Sequence, residues 1–428
     1  MTVTAVIGAQ WGDEAKGKIV DLLSAQAEIV ARFNGGDNAG HTVVNPYGTF
    51  KLRLTPNGFS HATTQCVIGA GVMVNMKTLV DEIEMIESRG IELMNRLWIS
   101  PRCSVILPYH PMVEGIYEEV KGGAATGTTG RGIGPSYADK VSYNSLRLSD
   151  FDDPDMLIVK LRVQLEVKNS LFRSFGMDTL DLDTLRREKL AQFEQLRPAI
   201  REPFGFLQDA LESDQTILLE GAQGSLLDND WGTYPFCTAS TTIAGGASSG
   251  LGIAPRWITE VIGVAKAYTT RVGAGPMPTE LIDATGDAIR QAGAEFGTVT
   301  GRPRRCGWLD TELLRFSAQL NGFTGLALTK LDVLDQLPKL RICIGYHQDG
   351  DMQIHHYWEG DARWLTKIPP EYIELPGWQQ STRGVSSFDQ LPKAAQAYIR
   401  KVEHLVGVPV KYISTGPKRE ETISIISQ

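Results

Sequence analysis

The stretch that most constrains this chain is Gly8-Ala9-Gln10-Trp11-Gly12-Asp13-Glu14-Ala15-Lys16-Gly17-Lys18-Ile19-Val20-Asp21. An apolar run, Val3 to Ile7, precedes it and reads as a buried strand. Ile19, Val20, Leu22 and Leu23 behind it read as the start of a helix. Strand, glycine-rich turn, helix is the setting that a phosphate loop needs. Gly12-x-x-x-x-Gly17-Lys18 has the spacing in which backbone N–H groups and a lysine surround phosphate oxygens. The helix N-terminus adds partial positive charge facing the anion. The residue after Lys18 is Ile19, so the usual hydroxyl for magnesium is missing, and the loop carries Asp13 and Glu14 instead. A carboxylate inside a phosphate cradle repels a nucleotide unless it holds a metal or moves a proton. Asp13 is therefore the first candidate for chemistry. An acid capping the helix is the plainer reading, but it leaves the two lysines and the glycine spacing unaccounted for.

A chain of 428 residues, 42% hydrophobic and 21% charged, has ordinary globular composition and enough length for a large core. Its formal net charge of −8 argues against broad binding to nucleic acid or anionic membranes. Cys66, Cys103, Cys237, Cys306 and Cys343 are scattered singly, with no metal-ligand spacing, which suits thiols in a reducing compartment. There is no signal-peptide pattern, and no apolar run reaches the ~18 residues of a membrane helix. The expectation is a soluble cytoplasmic protein with no nucleic-acid or membrane partner.

Further loops follow further strands. Glu28 to Phe33 reads as a strand running into Asn34-Gly35-Gly36-Asp37-Asn38-Ala39-Gly40-His41-Thr42. A lone histidine is usually structural, but His41 stands at a strand exit, where ligand sites in parallel sheets gather. Met76 to Ser88 has surface-helix spacing. Gly122 to Pro135 is rich in Gly and Thr and carries Arg131; it reads as a linker or as a phosphate-binding lid. Residues 151–213 are dense in charge with helical periodicity and read as a helical insertion packed on the sheet. Thr216 to Leu219 leads into Glu220-Gly221-Ala222-Gln223-Gly224, and Gln223 can donate and accept to a purine edge. Val261 to Arg271 reads as one strand. Arg302, Arg304 and Arg305 around Pro303 form a preset anion site, against a solvated charge run as the bland alternative. Thr329-Lys330-Leu331-Asp332 after a strand at Gly325 to Leu328 resembles the guanine-reading element of GTP-binding proteins, with the Asp selecting guanine's ring N–H and amino group. Val410 to Ile413 leads into Ser414-Thr415-Gly416-Pro417, placed to cover the same base. With no repeat or linker, the architecture expected is one large α/β domain, P-loop NTPase-like, with a mainly parallel sheet flanked by helices.

Together these stretches resemble the adenylosuccinate synthetase family from Gly8 to about Arg419. The matching motifs lie at 8–14, 38–42, 127–135, 220–224, 232–236, 300–308 and 329–335. The resemblance implies a GTP-dependent ligase in AMP biosynthesis. GTP phosphorylates O6 of IMP, L-aspartate displaces the phosphate, and adenylosuccinate, GDP and phosphate result. It implies that Asp13 takes the N1 proton of IMP and binds Mg²⁺, that Gly40 offers its carbonyl to the metal, and that His41 supports phosphoryl transfer. GTP would lie against Gly12, Asp13, Glu14, Ala15, Lys16, Gly17, Lys18, Gly40, His41, Thr42, Arg304, Lys330, Leu331, Asp332, Ser414, Thr415 and Gly416. IMP would lie against Asp13, Lys16, Asn38, Ala39, Gly40, His41, Thr129, Gln223, Thr238 and Arg302. Aspartate would meet Val299, Thr300, Arg302 and Arg304. A homodimer is implied as well.

The chain departs from the family pattern at Ala15, where Gly is usual, and at Tyr143, where an Arg reaches the partner's IMP site. Ala239, Thr241 and Val299 also differ; Arg131 or Arg147 offers replacement charge for Tyr143. Two other readings therefore stand beside the ligase. One is a paralogue doing the same chemistry on another purine nucleotide or amine donor. The other is a GTP-binding regulatory module without ligation, which would have no use for an acceptor pocket.

Overall fold

The computed structural model describes residues 2–296, 303–347, 354–355 and 362–425. Its centre is a nine-stranded sheet. In chain order the strands are Val3–Gly8 (β1), Ile29–Arg32 (β2), Gln65–Ile68 (β3), Leu97–Ile99 (β4), Ile217–Glu220 (β5), Glu260–Lys266 (β6), Gly325–Thr329 (β7), Val410–Ser414 (β8) and Thr422–Ser424 (β9). Across the sheet they run β9-β8-β7-β6-β1-β5-β2-β3-β4. Every pair is parallel except β8 with β9. The α/β expectation with a mainly parallel sheet holds.

All six residues of β1 are buried, as befits a central strand covered on both faces. Val3, Ala5 and Ile7 face one core with Ile29, Ala31, Phe33, Ile217 and Leu219. Val6 faces the other with Ile19 and Val20 of the helix Lys16–Ser24 (α1), Val30, Leu218 and Ile262. The period of two along the strand thus sets both layers. β6 lies on one side of β1 and β5 on the other, so the chain changes direction at the end of β1. Such switch points open a crevice at the carboxyl ends of parallel strands.

A second core lies at the β4 edge. There the helix Met76–Glu87 (α2) gives Leu79, Ile83 and Ile86 to a cluster with Leu97, Ile99, Leu157, Leu161, Phe172, Phe193 and Leu196. After the helices Tyr109–Lys121 (α3) and Ile133–Val141 (α4), the 151–213 segment forms Pro154–Ser174 (α5), Leu182–Leu196 (α6) and Pro203–Glu212 (α7). Its first two helices share their core with α2 and the sheet's outer strands.

The span read as one strand from Val261 to Arg271 is two. β6 ends at Lys266, and Thr269–Arg271 leaves the sheet to pair antiparallel with Arg305–Gly307. The break falls at Ala267 and Tyr268, where the Ala267 N–H bonds the Thr329 carbonyl and the Tyr268 hydroxyl turns inward to Glu295.

Close backbone packing fixes the turn after β3. A Cβ on Gly71 would lie 2.1 Å from the Phe33 carbonyl oxygen, whereas Gly115, exposed in α3, has nothing within 4 Å. Gly71→Ala should therefore lower the unfolding free energy by about 1–3 kcal/mol. Gly115→Ala should raise it by about 0.5–1 kcal/mol, by restricting the unfolded chain and favouring helix. Denaturant titration of the two variants checks the opposite signs.

Candidate functional site

Six loops gather at the carboxyl edge of the sheet, after β1, β2, β5, β6, β7 and β8. The first is tightly wound: Gly12, Asp13 and Ala15 all have positive φ, at 85°, 59° and 65°. Non-glycine residues in that region mark strain, which collects at functional sites. Glu14, fully buried, holds the winding. Its Oε1 accepts from the N–H groups of Gln10 (3.1 Å) and Gly12 (2.7 Å), and its Oε2 meets Lys16 Nζ at 2.5 Å. No side chain caps α1, so the capping reading of these acids is not what the loop uses. Gly8 and Gly224 let the β1 and β5 loops touch. A Cβ on Gly224 would lie 2.3 Å from the Gln10 carbonyl oxygen.

Asp13 differs from Glu14. Its carboxylate is 30% exposed, and Arg304 Nε lies 2.7 Å from Oδ2, an ion pair poorly aligned for a hydrogen bond. The other face of Arg304 reaches Glu295, with NH1 2.8 Å from Oε2. Burial lowers the Arg304 pKa, but Asp13 and Glu295 outweigh it and hold the guanidinium firmly charged. Arg305 points elsewhere, to Glu280 and the Gly275 carbonyl. The described part of the turn, Arg304 and Arg305, is therefore not the free anion cluster the sequence suggests. Consecutive residues entering a strand face opposite sides, and each described arginine already has a carboxylate. Arg302, Thr300 and Val299 lie outside the described residues.

Lys18 also has a use other than the expected phosphate contact. Its buried Nζ donates to Ser414 Oγ (2.7 Å), the Gly416 carbonyl (2.7 Å) and the Glu421 carbonyl (2.8 Å). Burial brings its pKa down to about 8, against the pull of Glu421 and Asp332. It ties α1 to the loop after β8 and draws Ser414, Thr415 and Gly416 beside the phosphate loop. Lys16 is the lysine that remains at the loop's mouth.

The β2 loop places His41 at the head of the hairpin His41–Asn45/Gly48–Leu52. The imidazole packs on the phosphate loop: a Cβ on Gly17 would lie 3.1 Å from His41 Cβ. Its Nε2 is enclosed and unbonded in the structure. Burial, then Arg32 and Lys16, push its pKa down to about 3, so the ring is neutral near pH 7. Gly40 is exposed with open space around it, and Ala39 and Thr42 flank the pair. Asn38 joins the β5 loop, accepting from Gln223 Nε2 at 3.0 Å, while its Nδ2 reaches Thr238 Oγ1 at 3.4 Å. Asn38, Gln223 and Thr238, far apart in sequence, thus form one polar wall. Thr129 is exposed on a loop whose N–H groups at Thr126, Gly127 and Thr128 are held by Glu118.

The turn expected to read guanine follows β7. Lys330 has φ 58° and donates to the Gly293 carbonyl and Glu295, with Leu331 buried behind it. Its two acids separate by use. Asp335 accepts from Trp378 Nε1, Thr382 N and Thr382 Oγ1, each at 2.8 Å. Asp332 is half-buried, and burial followed by Asp335 raises its pKa. β7 and β8 are neighbours, so the 330–332 and 414–416 loops lie side by side.

Sequence reasoning missed Glu295, Lys266 and Glu220 as parts of this region. Lys266 could have been found, since a lysine ending the apolar strand Val261 to Ala265 must meet a buried anion. Glu295 carries no motif. Glu220 is buried and accepts from Asn57 N and Nδ2, both at 2.8 Å. Burial lifts its pKa to about 7, against Asn57, Arg32 and Lys16.

The family model described as adenylosuccinate synthetase matches residues 5–423. The adenylosuccinate synthetase of Dehalococcoides mccartyi (strain CBDB1) is 45% identical over 424 residues, covering 99% of this chain and 100% of that protein. That of Alkalilimnicola ehrlichii is 48% identical over 422 residues, covering 98% and 96%. The structure of fully ligated adenylosuccinate synthetase from Plasmodium falciparum superposes with a TM-score of 0.94 at 35% identity, covering 100% of both chains.

Glu220 gives a pH signature. The folded chain keeps its proton to about pH 7, whereas an unfolded Glu releases it near pH 4.3. Between these values the folded state binds more protons, so this contribution to stability is full below about pH 4 and is lost as pH rises through about 7. Relative to Glu220→Gln, the natural protein should lose unfolding free energy between about pH 4 and 7 and level off above. A difference that stays flat with pH in denaturant titrations would contradict the assignment.

Proposed function

The chain belongs to the adenylosuccinate synthetase family, and from that premise we propose how its own loops carry out the family's reaction. It is a GDP-forming carbon–nitrogen ligase of purine biosynthesis, joining IMP to L-aspartate at the expense of GTP. The observation that carries the assignment is the partly exposed carboxylate of Asp13, which faces Arg304 at the switch point. Glu14 is consumed by its own loop, and Asp21 by Arg419 and Ser60. Asp13 alone of the three projects from the switch point with a partly exposed carboxylate.

Asp13 takes the N1 proton of IMP, and the charge left behind builds on O6. O6 then attacks the γ-phosphorus of GTP: the O6–P bond forms and the bond to the GDP oxygen breaks, giving 6-phosphoryl-IMP. The amine of aspartate adds at C6, the C6–O bond breaks, and phosphate leaves. His41, a neutral donor packed on the loop, and Lys16 at its mouth face the charge of the transferring group. Asn38, Gln223 and Thr238 form the wall for IMP, with Thr129 on the lid. Lys330 to Asp332 read guanine, and Ser414 to Gly416 cover it. Arg304 receives a carboxylate of aspartate once Asp13 releases it.

Among the described residues no group of three or more His, Cys, Asp or Glu could hold a metal ion alone. Mg²⁺ takes one or two carboxylates and completes its shell with substrate phosphates and water, and the partly exposed Asp13 carboxylate and the open surroundings of Gly40 suit such a shell. Asp13 and the Gly40 carbonyl would hold it, and it would supply charge neutralisation on the phosphates. The five free cysteines support a reducing compartment, which we take as the cytoplasm. Among the described residues no helix is long and apolar enough to cross a membrane.

A homodimer is supported by α5, where Met156, Val159, Val163 and Val167 are exposed at helical spacing. Val141 and Tyr143 are exposed as well, on the segment that Gln164 of α5 bonds through Asn144. Patches of this kind mark interfaces.

Two outcomes follow. Sustained GDP release should require GTP, IMP and aspartate together, and Asp13→Asn should lower kcat by about 10²–10⁴-fold. Release that ignores IMP and aspartate would instead favour a GTP switch. Sedimentation should give a dimer for the natural chain and a monomer for Val163→Glu.

A further inference from the structure

We infer that Glu295 is a positioning residue that ties the guanine-reading turn to the arginine on Asp13. Its carboxylate has no exposure and accepts four donors from three segments of the chain, 266–268, 304 and 330. Lys266 Nζ (2.8 Å), Lys330 Nζ (2.7 Å) and the Tyr268 hydroxyl (2.5 Å) meet Oε1; Arg304 NH1 (2.8 Å) meets Oε2. Three donors crowd Oε1 and one holds Oε2, so the carboxylate is anchored from both ends.

The two oxygens divide the work. On the Oε1 side, Lys330 sits at positive φ directly after β7, and its ammonium is pinned between Glu295 and the Gly293 carbonyl. Pinning that side chain fixes the turn that presents Asp332 two residues later. On the Oε2 side, Arg304 is gripped at NH1 while its Nε faces Asp13 Oδ2 at 2.7 Å. When Asp13 turns to a substrate proton, the grip at NH1 keeps the guanidinium at the site, ready for the substrate carboxylate. A buried carboxylate ringed by cations is a poor device for stability alone, because well-packed apolar residues serve as well. Its specific gain is geometric: one rigid atom pair sets both the base-reading end and the amine-donor end.

This inference rests on the proposed roles of Arg304 and Lys330, and the experiment separates the two. Steady-state kinetics of Glu295→Gln should show KM for GTP and for aspartate each raised about tenfold, within the usual range of coupling between sites. KM for IMP should stay within about twofold, since the Asn38, Gln223 and Thr238 wall does not touch Glu295. A purely structural Glu295 would lower the yield of folded enzyme and leave all three KM values unchanged, and that result overturns the inference. So would a rise confined to IMP. Glu295→Gln leaves three cations short of a carboxylate and can unfold the core, so the charge-balanced double variant E295Q/K266M is assayed alongside. It removes one anion and one cation and is held to the same KM pattern. Should Asp13→Asn retain full turnover, the reading of the site fails first. If Asp13→Asn is inactive and both Glu295 variants keep natural KM values, only this inference fails.

Discussion

The carboxylate of Glu14 turns the end of β1 into a site. A buried carboxylate is costly unless its oxygens are satisfied. This one is satisfied by the loop's own N–H groups and by Lys16, which forces the backbone through three positive-φ residues. The winding projects Asp13 outward and leaves Lys16 at the mouth. Because β1 is the central strand, the loop is pressed against the β5, β6 and β7 loops. Gln10 bonds the Tyr268 carbonyl and the Lys266 N–H, and Thr329 bonds the Glu14 carbonyl. Nothing in the crevice can shift far without disturbing this turn.

Among the described residues, charge in the crevice is organised in closed pairs. Lys16 meets Glu14, Arg304 meets Asp13 and Glu295, and Lys330 and Lys266 share Glu295. Substrates bearing phosphates and carboxylates must compete with these internal anions rather than fall into an open basic patch. That arrangement suits a protein whose total charge is negative. It also gives specificity, since an anion of the wrong geometry cannot replace a carboxylate in a bidentate or shared pair.

The sequence makes six of the nine strands, the first loop and the loops after β2, β5, β7 and β8 legible, while the short strands β3, β4 and β9 carry no comparable signal. Each of the six pairs an apolar run with a glycine-rich exit, and that pattern is local. What stays hidden is long-range. Lys18 has the spacing of a phosphate lysine, but its ammonium is captured by carbonyls nearly four hundred residues away. The Arg304 and Arg305 pair reads as one anion site because sequence cannot show that neighbouring side chains diverge toward Glu295 and Glu280. Glu295 follows Ala-Gly-Ala with no motif, so its four donors emerge only in three dimensions. The strand assigned to Val261 through Arg271 overran because Thr269 to Arg271 is as β-prone as β6, and only the Arg305–Gly307 partner reveals the change of sheet.

The departures from the family pattern can now be weighed by what each touches. Ala15 stands at φ 65°, so a usual glycine there is explained by backbone geometry, and the alanine costs about 1 kcal/mol of local strain without altering any charge. Ala239 packs beside Met73, Ile106 and Ile133, a matter of apolar fit next to Thr238. Thr241 is exposed. Tyr143 is 96% exposed at φ 66° and meets none of the crevice loops of its own chain; any influence on the nucleotide must act through a second copy. None of these positions alters the closed pairs that hold Asp13, Arg304 and Lys330. Among the described residues the variation therefore falls on strain, packing and the outer surface, while the charge pairs on which the proposed proton removal and phosphoryl transfer depend are left in place.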